Sequence, residues 1–504
     1  MPVVVRQQTF PGKSERATPL GCRVIFNNDG YEMTLIDGAD TPDGFLTVRM
    51  KATLDTQVDS VFMCTGATTM FHHQAKAGET YGKYAEGMVL TKNIRALKDN
   101  YNTDSLAIAV KFCHENDLEV FFTHRANDIH DSFEDFELST WKREHPEYLL
   151  GKREDRNKYP DSDPRNRWSA LNFEIPEVRD HLLAIYDDVL ARYDVDGIEI
   201  DYLRNPLFFR PNLEFRPATS EQVNRLTDFQ QGVRDLAYKH GNRRGRPILV
   251  TARVPVTKRL CRYIGIDIER WLKEDCLDLL TVGVGCHPFT RPRDLIELGH
   301  AHDVLVYPCI AGSTARPAQR TQEHFRGAAA ICWHGGADGV YLFNTYAEIF
   351  DSKYKPLFTE LGDPVTFSSM DKIFCIDHNR VVDGGIEGAL LQHQILPLEL
   401  DGSGRPLHVT LPVADDVAKE RRLKLLTLRF HFEGKDPGEE IEVRLNGDLI
   451  ESTKEDTESG WVTYAADPSQ YRHGDNALAL RVSDWHDEER PVFVNSVELR
   501  VDYH

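Results

Sequence analysis

The chain has no long apolar run, and residues 1–16 lack the apolar core of a signal peptide. The sequence therefore predicts no membrane-spanning segment and no membrane partner. We expect a cytoplasmic protein, or a periplasmic or secreted one whose leader has been removed. Positive charge is also scarce, because 60 Lys and Arg stand against 80 Asp and Glu and leave a formal net charge of -20. This balance argues against nucleic acid as a partner and leaves the oligomeric state open.

The sequence also lacks a C-x-x-C pair, and its nine cysteines are scattered and odd in number. Several lie in apolar runs such as 61–64, where a thiol behaves as a small apolar side chain. We therefore predict reduced core cysteines instead of a disulfide framework or a zinc site. The spacing of His124 and His130 matches no zinc motif, and no Gly-rich phosphate turn follows an early strand. We expect neither a metal ion nor a cofactor.

Short β-branched or aromatic runs alternate with helical patterns from residue 23 to about residue 344. This alternation is typical of βα units that build a parallel sheet. Strands are predicted at 23–27, 60–65, 119–124, 196–201, 248–253, 279–284, 304–309 and 339–343. Helices are predicted at 42–56, 105–116, 176–193, 220–240, 267–274, 291–302 and 318–333. Eight strands with helices between them predict an α/β fold, a (β/α)8 TIM barrel.

After residue 364 the pattern changes to alternating apolar and polar residues with frequent turn residues. Strand-like segments lie at 425–432, 440–445, 460–464, 477–482 and 492–501, and Asn446-Gly447 is a strong hairpin signal. We predict a TIM-barrel catalytic domain at 1–364 and an accessory antiparallel β-sandwich, jelly-roll-like, at 365–504. The connection at 125–175 is much longer than an ordinary βα loop. We expect it to lie over the mouth of the barrel.

The most informative segment is YDVDGIEIDYLR at 193–204, which has the pattern of a buried strand. Successive side chains of a strand point to opposite faces, so Gly197, Glu199 and Asp201 share one face. Asp201 would lie at the C-terminal mouth of the barrel, where enzymes of this fold keep their active sites. The motif DGIEID at 196–201 is similar to the D-G-x-D-x-D signature of glycoside hydrolase family 18. Leu203 stands where those enzymes have their catalytic Glu.

A wider resemblance covers the barrel. The stretches WSALNFEIPEVRD at 168–180 and YDVDGIEID at 193–201 resemble uncharacterised family-10-like glycosidase barrels of polysaccharide-degrading bacteria. The resemblance implies a TIM-barrel glycoside hydrolase with a poly- or oligosaccharide substrate. It does not identify the sugar or the linkage.

Glycoside cleavage needs two carboxyl groups, one that protonates the leaving oxygen and one that attacks or activates water. Asp201 is the first candidate, and it matches the nucleophile that ends this strand in barrels resembling α-galactosidases and α-amylases. The candidates for the second group are Asp128, Asp131, Glu174 and Asp29. Glu199, one pleat deeper, is expected either to raise the pKa of Asp201 or to pair with an arginine.

Polar side chains at the strand ends and in the long loop predict a ring of sugar ligands. They are Asn27, Asp29, His124, Arg125, Asn127, His130, Asp131, Trp168, Arg204, Arg253, His287 and Asn344. Arg204 and Arg253 would either clamp a substrate carboxylate or form buried salt bridges with the acids of the fourth strand. Two alternatives to hydrolysis stay open. One is a sugar-binding pseudoenzyme that has lost its acid, and the other is another sugar-acting barrel enzyme, such as a lyase or isomerase.

Overall fold

The computed structural model describes most of the chain. The described residues are 22–35, 38–159, 163–283, 292–311, 321–345, 354–377, 396–400, 404–435, 440–456, 458–484 and 491–504. The predicted ligand His287 lies outside them.

The first ten strands include all eight predicted ones. They are β1 (Val24–Asn28), β2 (Val58–Cys64), β3 (Met70–Phe71), β4 (Glu79–Thr80), β5 (Glu119–Arg125), β6 (Gly197–Asp201), β7 (Leu249–Val254), β8 (Leu279–Val282), β9 (Leu305–Ala311) and β10 (Val340–Phe343). Strands β3 and β4 form a small separate pair, and the other eight close into a parallel barrel in chain order. The predicted TIM barrel is confirmed.

Helices connect the barrel strands and cover their outer face. They are α1 (Pro42–Val48), α2 (Val89–Tyr101), α3 (Ser105–Glu115), α4 (Thr140–Glu144), α5 (Pro176–Arg192), α6 (Arg210–Leu213), α7 (Ser220–Arg244), α8 (Lys258–Ile264), α9 (Ile268–Lys273), α10 (Arg293–His300), α11 (Gln322–His334) and α12 (Leu357–Glu360). All seven predicted helices have a counterpart, although α1 ends eight residues before the predicted end and gives way to a 3-10 turn at Met50–Thr53. Within the described ranges, none of the helices has the length and apolar character needed to cross a membrane.

Local capping explains where two of these helices begin. The carboxylate of Asp104 accepts from the backbone N–H groups of Leu106 and Ala107, at 3.1 and 3.0 Å, and so starts α3. Thr219 and Gln222 form a reciprocal capping box at the start of α7. These short-range bonds fix the helix ends that the apolar spacing alone leaves uncertain.

The lower part of the barrel interior is filled with apolar and aromatic side chains. They form one buried cluster that includes Ile25, Phe62, Phe121, Leu249, Leu279, Tyr307 and Tyr341. Gly197 lies at the same level on β6, and a Cβ atom there would stand 2.1 Å from the Phe121 ring. Glycine is therefore required at 197 because the Phe121 ring occupies the space of a side chain.

The C-terminal part of the chain consists of antiparallel strands. They are β11 (Lys372–Asp377), β12 (Leu398–Leu400), β13 (Leu407–Val413), β14 (Leu423–Glu433), β15 (Glu440–Leu445), β16 (Asp448–Ile450), β17 (Ser452–Asp456), β18 (Trp461–Tyr464), β19 (Gly474–Asp484) and β20 (Val492–Tyr503). One sheet has the order β11-β20-β14-β18-β17, with β12 beside β20, and the other has the order β13-β19-β15-β16. Their alternate residues, such as Phe430 and Leu480, are buried in a shared core. The predicted β-sandwich is confirmed.

Two sequence predictions concern the edges of this second unit. Asn446 and Gly447 both have positive φ, 54° and 103°, and turn β15 into β16 as the hairpin signal predicts. The predicted division at residue 364 falls between α12 and β11 and stays a prediction.

Candidate active site

Strand β6 sends its two acids into the barrel. Glu199 is 0% and Asp201 1% exposed. The alternate residues Ile198, Ile200 and Tyr202 pack under the helices, where the Tyr202 hydroxyl donates to the Gln230 Oε1 of α7 at 2.7 Å. The two faces of β6 therefore carry the side chains that the two-residue period predicts for each of them.

Asp201 is held in place by an arginine and by the backbone. Arg253, at the paired position of β7, donates from Nε to Oδ1 at 3.0 Å and from Nη2 to Oδ2 at 2.7 Å. The backbone N–H groups of Leu203 and Arg204 also donate to Oδ1, at 3.0 and 2.9 Å. Burial alone lowers the pKa of Arg253, but the charge of Asp201 raises it to a value above the ordinary one. Of the two roles open to Arg253, the structure therefore gives the buried salt bridge.

Glu199 lies beneath Asp201 and accepts three hydroxyl donors. Thr123 and Tyr341 donate to its Oε2 at 3.0 and 2.9 Å, and Thr281 donates to its Oε1 at 2.9 Å. Burial, followed by the like charge of Asp201, raises the pKa of Glu199 to about 7. Glu199 is thus completely buried one pleat below Asp201, and its carboxyl oxygens are occupied by these hydroxyl groups.

A charged network follows β5 and reaches the loop after β6. Arg125 donates from Nη1 to Asp128 Oδ2 at 2.8 Å, and the His130 ring bonds the other oxygen of Asp128. The far nitrogen of the same ring lies 3.2 Å from Nη2 of Arg204. Burial raises the pKa of Asp128, but His130 and Arg125 together bring it well below its ordinary value. Asp128 is thus a buried acid whose two neighbours favour its charged form.

Two residues predicted as sugar ligands have structural roles instead. His124 points towards α5, because its side of the β5 pleat faces the helices, and both ring nitrogens have partners: Thr68 O at 2.8 Å and the Tyr186 hydroxyl at 2.9 Å. The side chain of Asn127 bonds the backbone of Leu171 and Leu207, and so ties the long loop to the segment after β6. The structure does not bring either residue to the open side of the mouth.

The interior of the long loop contains two further predicted residues. Asp131 pairs with buried Lys142 at 2.6 Å, and burial raises its pKa. Trp168 is 2% exposed, with its indole N–H donating to Ser132 O at 3.1 Å. Neither side chain is placed to touch a sugar, because both are packed inside the loop.

Glu174 lies in the helical layer, away from the network described above. It stands at the start of α5, where its carboxylate is 3.8 Å from Arg225 of α7 and about one third exposed. The contact with Arg225 therefore directs the Glu174 carboxylate towards α7.

The ends of β1 and β10 give three more predicted residues. Asn27 is buried on the same face of β1 as the interior residue Ile25. Asp29 is 20% exposed and pairs with buried Arg49 at 2.5 Å. Asn344 is half-buried and has a positive φ of 48° directly after β10.

Glu137 is a further carboxyl group of the long loop that is not among the residues predicted from the sequence. It ends the short 3-10 turn Asp135–Glu137 of the long loop and is half-buried, with the Tyr81 hydroxyl 3.5 Å from its Oε2. Burial, then the charge of Asp128, raises the pKa of Glu137 to about 7. The sequence does contain a signal, because Glu137 closes an acidic run in the loop predicted to cover the mouth. Such runs are usually solvated, and its burial depends on the fold of the loop.

Comparison with protein-family models gives a match that covers β2 to β6 and the long loop. Residues 58–212 match the family model glycosyl hydrolase-like 10. The family-10-like resemblance predicted from the sequence is thereby confirmed. The match to the glycosyl hydrolase-like 10 model begins at the first residue of β2 and includes Asp128, Glu137 and Asp201. No curated protein matches the chain.

Solved structures with a similar fold include several glycoside hydrolases. An endo-beta-1,4-mannanase from Thermotoga petrophila is 11% identical with a TM-score of 0.44, and the alignment covers 95% of this chain and 97% of the mannanase. The PgaB (BpsB) glycoside hydrolase domain from Bordetella bronchiseptica is 13% identical with a TM-score of 0.39, covering 68% and 98%. An Anoxybacillus alpha-amylase is 13% identical with a TM-score of 0.37, covering 92% and 99%.

Proposed function

We propose that this protein is a glycoside hydrolase in which Asp201 is the ionised carboxylate and Glu137 is the proton donor. The observation that carries the proposal is the contrast between these two acids. Asp201 receives two hydrogen bonds from the Arg253 guanidinium, which favour a carboxylate, whereas burial raises the pKa of Glu137 to about 7 and so favours a carboxyl group that keeps its proton. Carboxyl groups with opposite protonation states are what glycoside hydrolysis requires.

The chemistry follows from these two states. Glu137 would donate its proton to the glycosidic oxygen as the bond from that oxygen to the anomeric carbon breaks. Asp201 would then either attack the anomeric carbon through Oδ2 or take a proton from a water molecule that does so. Oδ2 is the oxygen for this role, because among the described residues it accepts one hydrogen bond while Oδ1 accepts three.

The rim of the mouth offers donors to a substrate. The His130 side chain is 41% exposed, and Arg204 beside it has a buried Nε that bonds no acceptor within the described part of the chain. A buried N–H without an acceptor is costly, so a sugar oxygen that reached it would gain a strong hydrogen bond. We assign Arg204 and His130 to substrate binding on this basis.

The test is release of reducing sugar from a panel of plant and algal polysaccharides. We expect Asp201→Asn and Glu137→Gln each to lower kcat by at least about a hundredfold, the usual contribution of a positioned acid or base. Glu134→Gln, an exposed acid of the same loop, is the matched control and should keep full activity. Full activity in Glu137→Gln would remove Glu137 from the mechanism.

Azide separates the two roles if the enzyme retains anomeric configuration. Azide should restore turnover to Asp201→Ala with a product of inverted configuration, and to Glu137→Ala with a product of retained configuration. The opposite pattern would exchange the two assignments.

A second candidate function is sugar binding without hydrolysis. It is favoured by the enclosure of Asp201, whose side chain is only 2% exposed behind Arg253. In that case, calorimetry would detect binding of a polysaccharide that the wild type does not cleave, and Arg204→Ala would weaken this binding.

A further inference from the structure

A row of polar side chains lies on the face of the β11-β20-β14 sheet that packs against α11. Cys375 of β11 is directly opposite Glu498 of β20, and Glu498 is directly opposite Arg429 of β14. Helix α11 approaches this sheet closely, because a Cβ atom at Gly327 would stand 2.0 Å from the backbone oxygen of Ile373. His324, one turn before Gly327, reaches the row from the barrel side.

We propose that His324, Cys375 and Glu498 bind a zinc ion between the barrel and the β-sandwich. The ring nitrogen, the thiol sulfur and a carboxylate oxygen lie within 4.8 Å of one another, and all three residues are buried. Nitrogen, sulfur and oxygen donors in one site are the set that Zn²⁺ accepts. The three residues are separate from Glu137, Asp201 and Arg253, and the zinc proposal does not depend on the proposed hydrolase activity.

The distance between two of the donors supports a metal site. His324 Nε2 and Glu498 Oε1 are 3.4 Å apart. This is long for a hydrogen bond between charged groups, which is about 2.7–2.9 Å. Two tetrahedral ligands with bonds of about 2.0–2.1 Å to one zinc ion stand about 3.3–3.4 Å apart. The pair is therefore already at the spacing of zinc ligands.

Both of these ligands also have the outer partners that metal sites use. The Nδ1 of His324 bonds the Thr321 hydroxyl at 2.9 Å, which directs Nε2 into the site. Arg429 donates from Nε and Nη2 to Glu498 Oε2, at 2.8 and 2.5 Å, and leaves Oε1 facing His324. Outer-shell bonds of this kind fix the orientation of zinc-binding side chains.

Binding requires the Cys375 thiol to lose its proton, because the thiolate is the ligand. The three protein ligands leave one tetrahedral position, which a water molecule would complete. The ion would connect a barrel helix to two strands of the sandwich, so its role would be to hold the two units together.

The experiment uses the full-length protein. After equilibration with Zn²⁺ and gel filtration, we expect about one zinc per chain, and cobalt in its place should give a thiolate-to-cobalt absorption band. Cys375→Ala should lose this band. Cys332→Ala is the matched control, because it removes a buried thiol of α11 that is not part of the site, and it should keep the band. Thr321→Val should weaken zinc binding about 10–100-fold, because it removes the outer partner of His324.

The wild-type spectrum decides the question even if Cys375→Ala does not fold. Absence of a thiolate–cobalt band in the wild type would overturn the proposal and leave a buried ion pair of His324, Glu498 and Arg429. A band that persists in Cys375→Ala would also overturn the proposal, because the thiolate would then come from elsewhere. Unchanged zinc affinity in Thr321→Val would overturn it too, because His324 would then not be the ligand that Thr321 orients.

Discussion

Replacing Glu199 by Gln should change how the stability of the protein depends on pH. The pKa of Glu199 in the folded protein is about 7, against an ordinary value of 4.5. Below pH 4.5 the carboxyl is protonated in both the folded and the unfolded chain. As the pH rises from 4.5 to 7, the unfolded chain releases this proton while the folded chain keeps it. Rising pH therefore favours unfolding, and this contribution of Glu199 to stability is lost by about pH 7.

The magnitude follows from the same two values. One pKa unit corresponds to about 1.4 kcal/mol, so the change from 4.5 to about 7 amounts to about 3 kcal/mol across the whole window. Between pH 5 and pH 8, the free energy of unfolding is expected to fall by about 2–3 kcal/mol because of Glu199. Glu199 is completely buried, so little of this is screened by solvent.

The assay is urea unfolding of the wild type and Glu199→Gln at pH 5 and pH 8, followed by tryptophan fluorescence. The wild type should lose about 2–3 kcal/mol more of its free energy of unfolding between the two pH values than the variant does. Glu174→Gln, a partly exposed acid, controls for the loss of a carboxylate. Altered hydrogen bonds to Thr123, Thr281 and Tyr341 would change the free energy of unfolding of the variant by the same amount at both pH values. Parallel pH profiles for the wild type and Glu199→Gln would therefore refute the argument.

Three further predictions concern the same barrel. Gly197→Ala should lower the free energy of unfolding, measured with urea, by about 1–3 kcal/mol, because the added Cβ overlaps the Phe121 ring. Adding Phe121→Leu should restore part of this free energy, and no recovery would contradict the packing argument. Arg253→Met should lower the free energy of unfolding at pH 8 by about 3–5 kcal/mol, because it leaves Asp201 buried without its partner. A decrease below about 1 kcal/mol would contradict this expectation. The kcat of the wild type should fall above about pH 7 as Glu137 loses its proton, and Glu137→Gln should lack this decline in its residual activity.

The sequence was sufficient for the architecture because the architecture depends on local patterns. The βα alternation predicts all eight barrel strands, and the two-residue period of β6 correctly assigns Glu199 to the interior and Tyr202 to the helices. The eight described cysteines are buried and form no disulfide with one another, as the apolar runs around them indicate, and Cys286 lies outside the described residues. These results follow from the neighbours of each residue along the chain.

The candidate site was less predictable because its partners are distant in sequence. Whether Asp131 meets a sugar or Lys142, and whether Trp168 is open or buried, depends on how the long loop folds on itself. The burial that raises the pKa of Glu137 depends on the same loop. No periodicity predicts such contacts, because a loop has no repeating geometry.

The distribution of polarity within the barrel is a reason to look for function at the mouth. The lower layer contains Phe62, Phe121 and other apolar side chains, as expected for a barrel whose interior only has to be packed. Above it, Glu199, Asp201 and Arg253 are all buried at a cost that apolar side chains would avoid. Buried charges of this kind are weak evidence for stability, because apolar replacements of the same volume are often neutral or stabilising. Asp201 and Arg253 lie at the C-terminal ends of β6 and β7, where the proposed chemistry needs a fixed carboxylate, and a stability role would not favour that end over the other.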